Sequence, residues 1–88
     1  MRITVTRTGG FAGITRRAEL ESAGRPDAAR LEELARAALG EGSRSAPVGV
    51  ADGFQYRIEV DGAPVYCADP KLTEGLRELI RTVLKEGA

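Results

Sequence analysis

The sequence predicts an α+β fold of order ββαββα, a four-stranded antiparallel sheet with two helices packed on one face. Three observations carry this prediction. Apolar and polar residues alternate in RITVTRT (2–8), ITRRAELE (14–21) and FQYRIEV (54–60), the period of strands buried on one side. Apolar residues recur instead at helical spacing in DAARLEELARAAL (27–39) and between Asp69 and Gly87, which marks two amphipathic helices. Asp61-Gly62 follows the third strand directly, and that dipeptide is a strong signal for a two-residue hairpin leading into an antiparallel fourth strand. A single sheet with both helices on one side buries all these apolar faces together.

Each element has a local cause. In the first strand Ile3 and Val5 share one face, with Arg2, Thr4 and Thr6 opposite. The second puts Ile14, Ala18 and Leu20 on its apolar face, although Arg16 falls on that face near the loop end. In the first helix Ala28, Leu31, Leu34, Ala35, Ala38 and Leu39 form the inner stripe, with Pro26 in the first turn and Gly40 as the C-terminal cap. Residues 40–53 lack periodicity and are expected to be a loop. Phe54, Tyr56, Ile58 and Val60 form the apolar face of the third strand. The hairpin then pairs Val60 with Ala63, Ile58 with Val65 and Tyr56 with Cys67, and sets Pro64 opposite Glu59 at a position where its missing N–H is harmless. Asp69-Pro70 is expected to start the last helix, whose stripe is Leu72, Leu76, Leu79, Ile80, Val83 and Leu84. Gly75, on the inner side of that helix, is expected to mark a close contact. The uncovered face should be polar and free of aromatics, leaving Thr4, Arg17 and Arg57 in water.

At 88 residues the chain is expected to be a single domain, 1–88, because halves of about 44 residues would be near the lower limit for independent folding. Hydrophobic content of 42% and charged content of 30%, with no long apolar run, argue against a membrane protein. The N-terminus alternates from its first residues and lacks the apolar core of a secretory signal. The lone Cys67 suits a reducing compartment. A cytoplasmic location follows as the expectation. The sequence contains no histidine, which removes Ser-His and Cys-His nucleophile pairs, imidazole zinc sites and imidazole acid–base catalysis. Thirteen basic and thirteen acidic residues balance, so no global field draws the chain to nucleic acid, although a local basic patch remains allowed. No cofactor is expected.

Glu19 and Glu59 are the best candidates for a carboxylate pair, but they stand among arginines on the open face, where cross-strand ion pairing accounts for them. The expectation is a protein that is not an enzyme. TGGFAGITRR (8–17) is the sharper feature. It sets Phe11, one of two phenylalanines, among Gly9, Gly10 and Gly13. Glycine amides flanked by Arg7, Arg16 and Arg17 could cradle an anion, yet phosphate loops lead from a strand into a helix, and this one leads into a strand. Base stacking would need exposed aromatics, whereas Phe54 and Tyr56 fall on the core side. Phe11 is either an anchor for another protein or a plug for the open end of the core.

RITVTRTGGFAGITRR, FQYRIEV and the acidic-proline start of a leucine-rich last helix resemble the emfourin family, small protein inhibitors of thermolysin-like metallopeptidases such as protealysin, and the likeness spans essentially the whole chain. The resemblance implies a cytoplasmic, non-catalytic inhibitor of a zinc peptidase. It carries a protease-binding role onto Thr8, Gly9, Gly10, Phe11, Ala12 and Gly13, with the flanking Arg7 and Arg16. The family's target enzymes favour a bulky apolar residue after the scissile bond, so Gly10-Phe11 could mimic substrate. Without cysteine or carboxylate in the loop, obstruction rather than zinc chelation is implied. The alternative is a small non-catalytic adaptor or anion-binding module.

Overall fold

Ile3 and Val5, two residues apart, meet Val60 and Ile58 of a neighbouring strand in one antiparallel register. That contact sits at the centre of the computed structural model, which describes residues 1–9, 15–44, 53–68 and 72–88. The elements are β1 (Arg2–Gly9), β2 (Arg16–Glu21), α1 (Ala28–Glu41), β3 (Phe54–Val60), β4 (Ala63–Ala68) and α2 (Glu74–Glu86). The sheet order is β2-β1-β3-β4, with neighbours antiparallel. The expected fold class and element order are both present. In the second hairpin Asp61 and Gly62 take positive φ values of 50° and 87°, and the register is the expected one down to Glu59 opposite Pro64.

The helices cover the apolar face, α2 over β1 and β2, α1 over β3 and β4. Leu31, Leu34, Ala35 and Ala38 from α1 and Leu76, Leu79, Ile80, Val83 and Leu84 from α2 are buried against the sheet residues Ile3, Val5, Ala18, Leu20, Ile58, Val60 and Val65. Each large aliphatic side chain so buried contributes about 1.5–3 kcal/mol relative to exposure.

Helix ends differ from expectation for identifiable reasons. Pro26 precedes α1, whose N-cap is Asp27; the Asp27 carboxylate makes no capping bond and is held instead by Arg25 at 2.9 Å. Gly40 lies inside α1, and Gly42 is the C-cap. A Cβ on Gly42 would stand 2.7 Å from Cβ of Val65, so close approach to β4 puts the glycine there. The chain beyond it is drawn to the sheet edge, where Ser43 and Tyr66 exchange backbone hydrogen bonds of 2.8 and 2.7 Å. Helix α2 starts at Glu74 rather than at Asp69-Pro70, which lie outside the described residues. Its cap is Thr73, in extended conformation, with Oγ1 accepting from the Leu76 N–H at 3.2 Å. A Cβ on Gly75 would touch Leu34 at 3.6 Å, ordinary contact rather than a forced one.

Two expectations for the open face need correction. Thr4 is buried at 5% exposure, although no helix covers it. A short side chain on a central strand, it stands between Glu19 and Glu59 in the register, donates to Glu19 Oε1 at 3.2 Å and is covered by its longer neighbours. Arg17 and Arg57 are exposed, as expected. The open face also carries an aromatic residue, since Tyr66 is the register partner of Arg57.

Candidate functional site

The alternation that buries Ile3 and Val5 carries Arg7 onto the same face. There it pairs in register with Arg16 on one side and Tyr56 on the other. The strand can place a guanidinium there because Phe54 is beside it: the Arg7 guanidinium carbon lies 4.4 Å from the ring centroid, a cation–π contact that offsets part of the lost hydration. Phe54 and Tyr56 meet at 6.5 Å between centroids, tilted by 54°. Arg7 Nε is buried and has no hydrogen-bond partner among the described residues.

Arg16 reaches from β2 to α2 and donates through Nη2 to the Leu84 carbonyl. That oxygen is in the last turn of α2, where carbonyls have no partner within the helix. The end of α2 is tied to β2 by two further bonds, Ala88 N–H to the Glu19 carbonyl at 3.0 Å and Glu19 N–H to the Ala88 carbonyl at 3.1 Å. Between the arginines of the sheet and this helix lies a pocket of about 560 Å³, lined by Arg7, Arg16, Tyr56, Leu72, Arg77, Ile80, Arg81, Leu84 and Lys85. Its cations come from two walls, the sheet and the helix, its apolar part from Leu72, Ile80 and Leu84, and no carboxylate is among the described residues that line it.

Of the residues expected to bind a partner, Arg7 and Arg16 are therefore together. Thr8, half-buried, is one position out of phase with Arg7 and pairs with Gln55. Gly9 pairs with Phe54 and has φ 97°; a Cβ there would meet the Gly53 carbonyl oxygen at 3.0 Å, so this glycine is required where the strand ends. Gly10, Phe11, Ala12 and Gly13 lie outside the described residues, as does most of the 40–53 stretch.

Arg77, Arg81 and Lys85 were not legible as site residues from sequence pattern alone. The available signal was their spacing of four, a single cationic stripe along α2. Like charges so spaced repel in an isolated helix, yet such a stripe is ordinarily just a solvated face. Only the packing of α2 opposite Arg7 and Arg16 turns it into the wall of a pocket.

Among the described residues there is no group of three or more His, Cys, Asp or Glu that could hold a metal ion, and no helix is long and apolar enough to cross a membrane. What the site offers is charge beside apolar surface, the equipment of a small binding protein. The chain belongs to the emfourin family, a family of protease inhibitors, whose family model matches residues 5–84. No significant match to a curated protein or to a solved structure accompanies it.

Proposed function

We propose that this chain is a non-catalytic cytoplasmic inhibitor of a thermolysin-like zinc metallopeptidase, acting as a single domain and obstructing the active-site cleft with its β1–β2 loop. The observation that carries the reading is the emfourin match over residues 5–84, taken with TGGFAGITRR at the tip of the first hairpin. The geometry of the stem supports it. β1 and β2 stay paired as far as Arg7 and Arg16, and β1 stays paired with β3 as far as Gly9. This pairing fixes Arg7, Thr8, Gly9 and Arg16, the base of the loop. Gly10, Phe11, Ala12 and Gly13 are assigned the contact from sequence, with Arg7, Thr8, Gly9 and Arg16 as its base. Phe11 supplies the apolar anchor, and its small rotamer freedom makes it an inexpensive one.

The test is to titrate the chain against a thermolysin-like peptidase and follow cleavage of a fluorogenic peptide. Saturable, stoichiometric loss of activity is expected. Phe11→Ala should then weaken inhibition by about 2 kcal/mol or more while leaving the melting temperature nearly unchanged. If Phe11 is a core plug instead, the variant loses about 3 kcal/mol of stability and inhibits normally when folded, which rejects the loop assignment.

A further inference from the structure

The pocket between β1, β2 and α2 shares Arg7 and Arg16 with the base of the loop, but its charge pattern extends beyond what obstruction by the loop requires. Among the described residues, ion pairs engage Arg2, Arg17, Arg25, Arg30, Arg36 and Arg57. None engages Arg7, Arg16, Arg77, Arg81, Lys85 or the exposed Arg44, and the first five of these line one pocket. Two carboxylates of α2 are paired with other elements. Glu78 accepts from Nη2 and Nε of Arg30, at 2.9 and 3.1 Å, and Glu86 accepts from Arg25 at 2.6 Å. Glu74 and Glu78 share a smaller hollow with Arg77 and Arg81 without forming an ion pair with them, although the charge of Arg81 helps to hold the Glu78 carboxyl below its ordinary range. A chain with no net charge thus gathers five cations, none in an ion pair among the described residues, around about 560 Å³, a volume within the range of small-molecule sites.

Folding brings these cations together against their mutual repulsion, and it buries Arg7 Nε without a partner among the described residues. A buried donor without an acceptor is costly, and an anion entering the pocket would supply one. The cations face one another, Arg7 and Arg16 from the sheet, Arg77, Arg81 and Lys85 from the helix. A planar carboxylate offers its oxygens along one edge, whereas a tetrahedral phosphoryl group offers them to donors on opposite walls, and guanidinium forks match it well. Five cations also exceed what a singly charged ligand would neutralise. We infer that this pocket binds a multiply charged phosphoryl anion, held between Arg7 and Arg16 on one side and Arg77, Arg81 and Lys85 on the other.

The experiment uses the full chain without any peptidase, so its outcome is independent of the inhibitor reading. Inorganic pyrophosphate is titrated calorimetrically at constant ionic strength set with potassium chloride, and melting temperatures are recorded alongside. Saturable binding of one pyrophosphate is expected, with a rise in melting temperature that follows ligand concentration by mass action. Arg81→Gln combined with Lys85→Gln should weaken binding at least tenfold, since both are exposed and neither forms an ion pair among the described residues. Arg57→Gln, on the opposite face of the sheet, should change affinity less than twofold. Absence of saturable binding overturns the proposal, as does an equal effect of citrate or unaltered affinity in the double variant. A melt of the double variant without ligand confirms that it is folded and keeps a loss of binding attributable to the pocket.

Discussion

The two polar regions of this sheet are built from the same residue types and reach opposite electrostatic outcomes. On the open face Glu19 lies 3.8 Å from Arg2 and 3.5 Å from Arg17, and Arg57 lies 3.2 Å from Glu59. Even the row across the sheet, Glu19, Thr4 and Glu59, is enclosed by these arginines. On the helix-covered side at the loop end, Arg7 and Arg16 face Arg77, Arg81 and Lys85, with no carboxylate among the described residues of the pocket. Balanced composition therefore conceals a polarised surface. One region satisfies itself within the sheet, because strand neighbours of opposite charge are within reach. The other presents its charge outward, because Glu78 and Glu86 of its helix are paired with Arg30 of α1 and with Arg25 in the turn that precedes it.

The largest effect should come from the layer that the two regions share. Ile58, fully buried beneath the helices, backs both of them, and Ile58→Ala should cost about 2–5 kcal/mol in chemical denaturation. A cost below about 1 kcal/mol would mean that the strand phase is wrong and that the regions are not on opposite faces.

Gly9→Ala acts on the pocket end alone. Its φ of 97° and the Gly53 carbonyl 3.0 Å from the added Cβ should cost about 1–3 kcal/mol. A neutral result would show that the end of β1 rearranges freely and would weaken the case for a preset stem beneath the loop.

The comparison itself is sharpened by paired neutralisations. Arg81→Gln relieves repulsion in the pocket and should stabilise the chain by up to about 0.5 kcal/mol, whereas Arg57→Gln removes a partner of Glu59 and should destabilise it by a similar amount. Melting temperatures that shift in the same direction would break the contrast. Raising the salt concentration should shrink both effects, because exposed charges are screened.

The smallest effect expected is the response to acid. Hydrogen bonds from Arg25 and Arg30 hold the Asp27 and Glu78 carboxyls below their ordinary ranges. A lowered pKa in the folded state means that the stabilisation is complete above the unfolded value, near 4, and disappears as pH falls through the lower folded value. Stability should therefore be flat between about pH 5 and 7 and decline only below about pH 4. Asp27→Asn with Glu78→Gln should remove part of that decline, while Arg81→Gln should leave its shape unchanged. A decline beginning above pH 5 would point to carboxylates other than these.

Most of the fold was legible because period two and period 3.6 are local signals that the structure had no reason to override. The hairpin register from Gln55 to Ala68 followed from Asp61-Gly62 alone, since a two-residue turn leaves one way to pair the strands. The helix ends were less legible. Pro26, Gly40 and Asp69-Pro70 are all reasonable boundary residues, but Asp27, Gly42 and Thr73 are the boundaries, chosen by a neighbouring arginine, by Val65 and by a hydroxyl within reach of the Leu76 amide. Arg7 and Arg16 were visible as flanks of the glycine loop, and the period of β2 already placed Arg16 on the apolar side. Their three partners on α2 were not, because nothing local distinguishes a pocket wall from a solvated stripe.

By itself, then, the sequence determined the element order, the buried face of each strand and helix, the second hairpin and the glycine-held phenylalanine, all of which depend on residues a few positions apart. Tertiary structure alone decided which charges are neutralised. Arg30 meets Glu78 and Arg25 meets Glu86 across separations that no periodicity encodes, and the same packing leaves Arg7, Arg16, Arg77, Arg81 and Lys85 facing one another. The physical reason is that burial of an apolar stripe is set by spacing along the chain, whereas an electrostatic partner is set by distance in space, which exists only once the helices have docked.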